Sequence, residues 1–138
     1  MTVDGARVGA IGTGLVVLLG VGREDGRAQA TKLAEKTARL RVFEGEGGRM
    51  DRSLLDIGAE GTDAGALCIS QFTLYGDTRR GLRPSFTGAA EAAIAEQLFE
   101  AYCAELRALG VHVETGRFGA MMSVALTNEG PVTLLLEA

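Results

Sequence analysis

Apolar residues recur at two spacings in the first part of the chain, and these spacings predict strands followed by a helix. The run Leu15–Val21 is rich in valine and leucine and flanked by glycines, which predicts a buried strand. A turn signal at Asp4-Gly5 predicts a hairpin within Thr2–Ile11 ahead of it. From Arg27 to Val42, apolar positions recur every three or four residues opposite a charged face, so we expect an amphipathic helix packed on a sheet.

The rest of the chain continues this alternation of strands and helices. The glycine-rich, charged segment Phe43–Arg52 predicts a loop or a short edge strand before Leu54–Ile57. The later predicted elements are a buried strand Ala66–Tyr75, a long connection Gly76–Gly88, a helix Ala89–Leu109 ended by Gly110, and strands at Val111–Glu114, Met121–Thr127 and Val132–Glu137. With no internal repeat or linker, the pattern predicts a single α/β domain with a mixed sheet over residues 1–138.

Length and cysteine content fit a domain that folds without disulfides. The chain has 138 residues and two cysteines, Cys68 in an apolar run and Cys103 in a helical pattern. We interpret both as small buried hydrophobic residues in a reducing compartment. No signal-peptide pattern or membrane-length apolar stretch is found in the sequence, so we expect a cytoplasmic protein without a membrane partner.

Charge and histidine content limit the possible chemistry. The net charge of −4 predicts no broad attraction to nucleic acid, so any RNA contact must be local and no DNA partner is expected. His112 is the sole histidine and no Cys-x-x-Cys spacing occurs, which argues against a zinc site. We expect no metal or other cofactor, although a Mg²⁺ site built from carboxylates alone stays open.

Polar residues interrupt the predicted strand Ala66–Tyr75. If the strand alternates, Gln71 and Thr73 share one face, opposite Ser70 and Phe72. That face either meets solvent or a partner, or forms the wall of a pocket that binds a polar substrate. The residues alone leave both interpretations open.

Three arginines follow this strand within five residues: Arg79, Arg80 and Arg83. Such a cluster is either a solvated loop or a local clamp for the phosphates of RNA.

Two familiar catalytic or binding arrangements fit poorly. Gly20-Val21-Gly22 lacks the spacing of a dinucleotide-binding loop, and we interpret it as a strand-to-helix turn. Ser70 is not in a Gly-x-Ser-x-Gly turn, so a Ser-His-Asp triad with His112 is not expected, and we assign that histidine no role.

Five segments of the chain form a distinctive combination: Gly14-Leu15-Val16-Val17-Leu18-Leu19-Gly20-Val21, Ser70-Gln71-Phe72-Thr73-Leu74, Gly81-Leu82-Arg83-Pro84-Ser85-Phe86, Thr115-Gly116-Arg117-Phe118-Gly119-Ala120 and Asn128-Glu129-Gly130-Pro131-Val132-Thr133. Taken together, they resemble the D-aminoacyl-tRNA deacylase family over nearly the whole chain. Each is weak alone, but five in order are highly specific.

The resemblance implies a homodimer with a three-layer α/β/β fold and two active sites at the subunit interface. It further implies that a cis Gly130-Pro131 dipeptide projects into the partner's pocket, which holds the terminal adenosine of tRNA and its amino acid. The implied catalytic residues are Thr73, Gln71 and Phe72, and the implied substrate-binding residues are Ser70, Phe86, Met122, Gly130 and Pro131.

The implied activity is hydrolysis of the ester of D-aminoacyl-tRNA. A stiff Gly-Pro main chain would exclude the side chain of an L-amino acid but has no ground for rejecting glycine, so some glycyl-tRNA hydrolysis, as on mischarged tRNA-Ala, is expected. Backbone amides near Phe72 and Thr73 are candidate oxyanion donors. Thr73 has no accompanying base, so we expect the 2′-hydroxyl of tRNA to assist.

One departure from the family pattern affects these expectations. Family members usually begin with a strand carrying a Gln-Arg-Val tripeptide, whereas this chain starts at Met1-Thr2-Val3-Asp4. The alternative function is therefore a non-catalytic module that binds the 3′ end of tRNA or dimerises. A third option, a metal-dependent hydrolase of other small esters, predicts inhibition by chelators.

Overall fold

The computed structural model describes residues 1–61 and 63–138. Its elements in chain order are β1 (Thr2–Val3), β2 (Ala6–Arg7), β3 (Gly14–Leu19), α1 (Arg27–Arg39), β4 (Phe43–Glu44), β5 (Met50–Arg52), α2 (Leu54–Gly58), β6 (Gly65–Ser70), α3 (Ala92–Ala108) and β7 (His112–Thr115). Two 3-10 turns occur at Glu46–Gly48 and Phe72–Tyr75.

A parallel sheet in the order β3-β6-β7 forms the centre of the fold. Strand β6 lies in the middle, pairing with β3 from Gly65 to Ser70 and with β7 from Gly65 to Cys68. Its residues are buried up to Ile69, as expected for a parallel strand covered on both faces.

Helices α1 and α3 cover one face of this sheet. Small residues of α1, Ala34 and Ala38, are fully buried and let α3 approach closely. Tyr102 of α3 is fully buried too, and its hydroxyl donates a 2.8 Å hydrogen bond to Thr37 Oγ1. After α3, Gly110 adopts a φ of 100°, where its amide bonds to the carbonyl of Arg107 and ends the helix.

The opposite face carries a smaller apolar cluster. Leu67 and Ile69 of β6 point into it and are joined by Met1, Met122 and Val124. The β1–β2 hairpin and the segment around Ser123 thus form a third layer, since Thr2 and Ser123 exchange two 2.9 Å backbone hydrogen bonds.

The α/β class and most predicted elements are confirmed. The hairpin turns at Asp4-Gly5, where both residues have positive φ. The two long helices begin and end within three residues of their predicted bounds. Parallel and antiparallel pairing both occur, but the antiparallel pairs lie in separate two-stranded hairpins, β1–β2 and β4–β5. Segment Leu54–Ile57 falls in α2, which Ser53 caps by accepting from the Asp56 amide at 3.1 Å.

The prediction of one strand from Ala66 to Tyr75 is wrong beyond Ser70. The neighbouring strand β3 ends at Leu19, whose carbonyl accepts a last 2.8 Å hydrogen bond from the Gln71 amide. With no strand left to pair with, the chain coils into the 3-10 turn Phe72–Tyr75.

The predicted strands Met121–Thr127 and Val132–Glu137 are also wrong as regular elements. In the part of the chain described, the first makes one isolated bridge, Thr2 to Ser123, and the second pairs with nothing. Their sequence favours strands, but a strand needs a neighbour to bond with. None of the described helices is long and apolar enough to cross a membrane.

Candidate active site

The 3-10 turn Phe72–Tyr75, called the site turn below, projects from the end of the central strand β6. Phe72 is 57% exposed and Leu74 50% exposed, although both follow a strand that is buried. Within the turn the Leu74 amide bonds to Gln71 O at 3.3 Å, and the Gly76 amide to Thr73 O at 2.9 Å. The turn therefore presents apolar side chains and main chain on the surface.

Gln71 and Thr73 contact each other through their side chains. Gln71 Nε2 donates a 2.5 Å hydrogen bond to Thr73 Oγ1. The predicted alternation of a strand is wrong here, yet the turn brings the two residues together. A carboxamide does not take a proton from a hydroxyl, so this contact orients Thr73 without activating it as a nucleophile.

Two backbone amides in the site turn have no acceptor among the residues that the structure describes. In the described part of the chain, neither the Phe72 nor the Thr73 amide donates a hydrogen bond. A 3-10 turn leaves its first N–H groups free, just as an α-helix does. Adjacent free amides of this kind can stabilise negative charge on an oxygen atom.

Phe86 packs on the site turn from across the following loop. Its ring meets that of Phe72 edge to face, with centroids 5.1 Å apart and an interplanar angle of 72°. The structure therefore joins two of the residues that the resemblance implies, even though they are far apart in sequence.

Other implied residues lie further from the turn or on its edge. Ser70 is half-buried at the end of β6, where it pairs with Leu19. Met122 packs in the cluster beneath Leu67 and Ile69 on the third-layer face. Placement of these two side chains in one pocket stays a prediction.

Gly130 and Pro131 lie in an exposed loop near the C-terminal end. The bond between them is cis, the conformation that the resemblance implies. The Asn128 side chain closes the loop, since its Oδ1 accepts from the Val132 amide at 3.0 Å and its Nδ2 donates to Thr133 Oγ1 at 2.9 Å. The three heavy atoms nearest a β-carbon built on Gly130 all belong to Val132.

The three arginines lie on residues Asp77–Ser85, a loop that we call the arm. Its base is closed by two backbone hydrogen bonds between Asp77 and Ser85, at 2.7 and 2.9 Å. Arg79 grips the Asp77 carboxylate through two guanidinium nitrogens at 2.9 and 2.7 Å, which lowers the Asp77 pKa to about 2. Arg80 and Arg83 are exposed. The cluster is therefore one internally paired arginine and two cations that face solvent.

Tyr75 is a residue of this site that the sequence interpretation missed. Its ring covers the turn that follows β3, where Gly20 and Gly22 carry no side chain. Its hydroxyl lies 3.4 Å from Asp25 Oδ2, and burial, followed by the nearby Asp25 and Glu137, raises its pKa. The available signal is the pair of glycines at alternate positions next to a strand end, which the sequence pattern alone identifies only as a turn.

No metal-binding cluster of three or more histidine, cysteine or acidic residues occurs among residues 1–61 and 63–138. His112 lies on the surface, 3.6 Å from Glu114 Oε2, away from the site turn.

Sequence comparison decides the family. The D-Tyr-tRNA(Tyr) deacylase family matches residues 1–137. The chain belongs to this family. Among its relatives in the deacylase family, the D-aminoacyl-tRNA deacylase of Roseiflexus sp. (strain RS-1) is 60% identical over 138 residues, covering 100% of this chain and 86% of that protein. The D-aminoacyl-tRNA deacylase of Thermus aquaticus is 57% identical, covering 100% and 88%. The resemblance in the sequence is thereby confirmed.

Solved structures agree on the deacylase fold. One titled "c-Myc DNA Unwinding Element Binding Protein" is 36% identical, with a TM-score of 0.89, and the match covers 99% of this chain and 90% of that one. A probable eukaryotic D-amino acid tRNA deacylase matches with a TM-score of 0.58 over 78% and 75% of the two chains, and at 13% identity it shows the fold alone.

Proposed function

We propose that this chain hydrolyses the ester that links a D-amino acid to the 3′-terminal adenosine of tRNA, releasing the free D-amino acid and tRNA. The observation that carries this proposal is the family match over residues 1–137. The exposed site turn supports it, because the turn offers two free amides beside an aromatic surface.

In the proposed reaction, the oxygen of a water molecule attacks the ester carbonyl carbon. The Phe72 and Thr73 amides would donate to the oxygen that becomes negative, a role worth about 2.7–4 kcal/mol per donor in other hydrolases. The bond from the carbonyl carbon to the 3′-oxygen then breaks, and the 3′-oxygen takes up the proton that the water loses. Among the described residues, the Thr73 hydroxyl has Gln71 Nε2 as its one hydrogen-bond partner and no base beside it, so we assign proton transfer to the 2′-hydroxyl of tRNA.

We propose that the active form is a homodimer in which each chain lends Gly130 and Pro131 to the partner's site. Exposed apolar side chains on the C-terminal segments support this proposal, because a second copy would cover them. Met121 is 91% exposed and Leu135 is 76% exposed. Between Val124 and Ala138, the backbone of the described chain makes one hydrogen bond, from Val132 to Asn128. Extended main chain with unpaired polar groups is suited to pairing with a second copy.

In the proposed position, the Gly130-Pro131 dipeptide accounts for selectivity for D-amino acids over L-amino acids. Proline fixes its own backbone angle, so main chain placed where an L side chain would project does not yield to it. Glycine has no side chain to exclude, and the proposed activity therefore extends to glycyl-tRNA, including glycine mischarged on tRNA-Ala.

We assign the RNA contacts of the arm to Arg80 and Arg83 rather than to all three arginines. The Arg79 guanidinium already donates two hydrogen bonds to the Asp77 carboxylate. A chain of net charge −4 that grips only the end of a tRNA needs few phosphate contacts, and we place the reaction in the cytoplasm, where aminoacyl-tRNA is used.

The test is a direct assay on the purified protein. D-Tyr-tRNA, L-Tyr-tRNA and glycyl-tRNA are each incubated with it, and loss of the ester is followed with and without a chelator. We expect rapid loss of the D-ester, slower loss of the glycyl ester and little loss of the L-ester, unchanged by the chelator. Binding of D-Tyr-tRNA without hydrolysis would point instead to a non-catalytic module, and inhibition by the chelator to a metal-dependent enzyme.

A further inference from the structure

The structure points to Tyr75 as a positioning residue of the candidate active site, held in place by the glycine turn Gly20–Gly22. We infer that this packing fixes the site turn, and with it the free amides of Phe72 and Thr73. The inference rests on the proposed function.

The contact between the ring and the turn leaves no room for a side chain at Gly22. A β-carbon built there would lie 2.7 Å from the Tyr75 hydroxyl oxygen, 2.9 Å from Cζ and 3.0 Å from Cε1. Real β-carbons do not approach other heavy atoms so closely, so any larger residue displaces the ring. At Gly20 the nearest atoms are Tyr75 Cε2 at 3.1 Å and Gln71 O and Leu74 Cβ at 3.2 Å.

The Asp25 carboxylate lies between the glycine turn and the tip of the Tyr75 ring. Asp25 Oδ2 accepts a 2.7 Å bond from the Gly22 amide and lies 3.4 Å from the Tyr75 hydroxyl. The carboxylate thus links the glycine turn to the far end of the tyrosine. The ring is held by the glycines beneath it and by Asp25 at its tip.

The same residue belongs to the site turn. Tyr75 ends the turn that begins at Phe72, and Gln71 before it is fixed by its 2.8 Å bond to Leu19 O. The turn is thus anchored at its start by the sheet and at its end by Tyr75. Because Phe72 and Leu74 between these anchors are at least half exposed, movement of Tyr75 would shift the amides directly.

Gly22→Ala is the variant that separates positioning from folding. The three atoms nearest its added methyl group all belong to the end of a partly exposed side chain, so we expect the thermal unfolding midpoint to stay near that of the wild type. A misplacement of about 1 Å in a reacting geometry can cost on the order of 100-fold in rate. We expect kcat on D-Tyr-tRNA to fall about tenfold or more, with KM changed about threefold or less, because free amides act on the transition state.

Spectroscopy supplies a readout that a general loss of structure would not give. The chain has two tyrosines and no tryptophan, and Tyr102 is buried with its own partner, so alkaline absorbance titration resolves Tyr75 first. Asp25 and Glu137 face its hydroxyl. In Gly22→Ala the Tyr75 pKa should fall toward the ordinary value of about 10, because the hydroxyl loses its partial burial and moves away from both carboxylates into solvent.

Three further variants complete the experiment. Gly26→Ala is the matched control, since a β-carbon there meets only Gln29 Oε1 at 3.6 Å. Tyr75→Phe keeps the ring and should keep activity within about threefold, since the hydroxyl lies 3.4 Å from Asp25 Oδ2, a distance at which an O–H···O hydrogen bond is weak. Tyr75→Ala should lose activity as Gly22→Ala does, and adding Gly22→Ala to it should cost nothing more.

Two results would overturn the inference while leaving the proposed function intact. One is full wild-type turnover in Gly22→Ala when its Tyr75 titration has shifted. The other is wild-type turnover in Tyr75→Ala. A wild-type protein that hydrolyses none of the three esters would instead overturn the proposed function, and the inference with it.

Discussion

Phe86 meets Phe72 edge to face across the arm, with 5.1 Å between the ring centroids. The contact joins the loop that follows the arm to the site turn, although 13 residues of chain lie between Phe72 and Phe86. Phe86 also limits the turn from its other side, because a β-carbon on Gly76 would lie 3.1 Å from Phe86 Cε1. The position of the site turn therefore depends on how the arm is folded.

Removing the Phe86 ring should lower activity more than stability. Without the Phe86 ring the site turn can shift, and a displaced reacting geometry slows the reaction, so we expect Phe86→Ala to reduce kcat/KM on D-Tyr-tRNA by about threefold to tenfold. Phe86 is 38% exposed, and the unfolding midpoint should change little. Leu82→Ala is the control, since Leu82 is fully exposed at the tip of the same arm. Equal activity of the two variants would show that the ring contact does not matter.

The arm arginines should differ in their effect on tRNA binding. Replacing Arg80 or Arg83 by glutamine should weaken binding to all tRNAs alike and reduce the slope of log K against log salt by about one unit. Arg79→Gln should change that slope less, because the Arg79 charge is already paired with Asp77. Filter binding at several salt concentrations measures each slope. Three equal slopes would refute this division of roles.

The Asp77–Arg79 pair predicts a pH response at very low pH only. Arg79 holds the Asp77 pKa at about 2, below its ordinary 3.8, so the carboxylate is charged at neutral pH. A carboxyl group whose pKa is lowered by folding stabilises the folded state at any pH above its pKa in the unfolded chain. That stabilisation is lost as the pH falls toward the pKa in the folded chain, here between about 4 and about 2. Carboxyl NMR titration should find this low midpoint, and Arg79→Gln should raise it only part of the way toward 3.8, since the backbone amide of residue 79 still donates to Asp77 Oδ1. A midpoint near 3.8 in the wild type would mean that the ion pair is not formed in solution.

The buried hydroxyl of Tyr102 offers a test of the core. It donates to Thr37 Oγ1 at 2.8 Å, and the Thr37 hydroxyl donates in turn to Leu33 O at 2.8 Å. Tyr102→Phe leaves the ring packed, so we expect a loss of about 0.5–1.5 kcal/mol in the free energy of unfolding. Urea denaturation measures it, with the exposed Tyr75→Phe as a control that should lose less. A loss above about 3 kcal/mol would indicate a packing change rather than one hydrogen bond.

Sequence periodicity predicted the elements whose partners lie within the chain. The alternation around Leu15–Val21 and the helical spacing from Arg27 both identified real elements, because their apolar residues are buried in one shared core. The interpretation of Ala66–Tyr75 failed where its partner strand stops. Propensity describes what a residue favours locally, whereas the end of a strand depends on how far its neighbour extends.

The candidate site was harder to predict than the fold. The family resemblance named Phe72 and Phe86, yet no spacing rule could place their rings in contact, because the arm between them is irregular. The arginine run gave no sign that Arg79 is paired with Asp77 two residues earlier. Tyr75 was missed since its role depends on glycines more than 50 positions away, a relation that only the tertiary structure supplies.

The C-terminal segments give a direct test of the proposed homodimer. Leu135 is 76% exposed on a stretch whose backbone groups have no partner within the described chain. If a second copy covers this surface, Leu135→Asp places a charge in an apolar interface at a cost of several kcal/mol. We expect the wild type to sediment as a dimer and Leu135→Asp to shift to the monomer while keeping its helical circular dichroism. Met50→Asp is the control, since Met50 is 54% exposed on the β5 hairpin.

Hydrolysis of D-Tyr-tRNA should fall with the dimer fraction, because each site would lose the Gly130-Pro131 main chain that its partner supplies. A fully active monomer would remove the partner from the mechanism and leave the handedness of the substrate to be read within one chain.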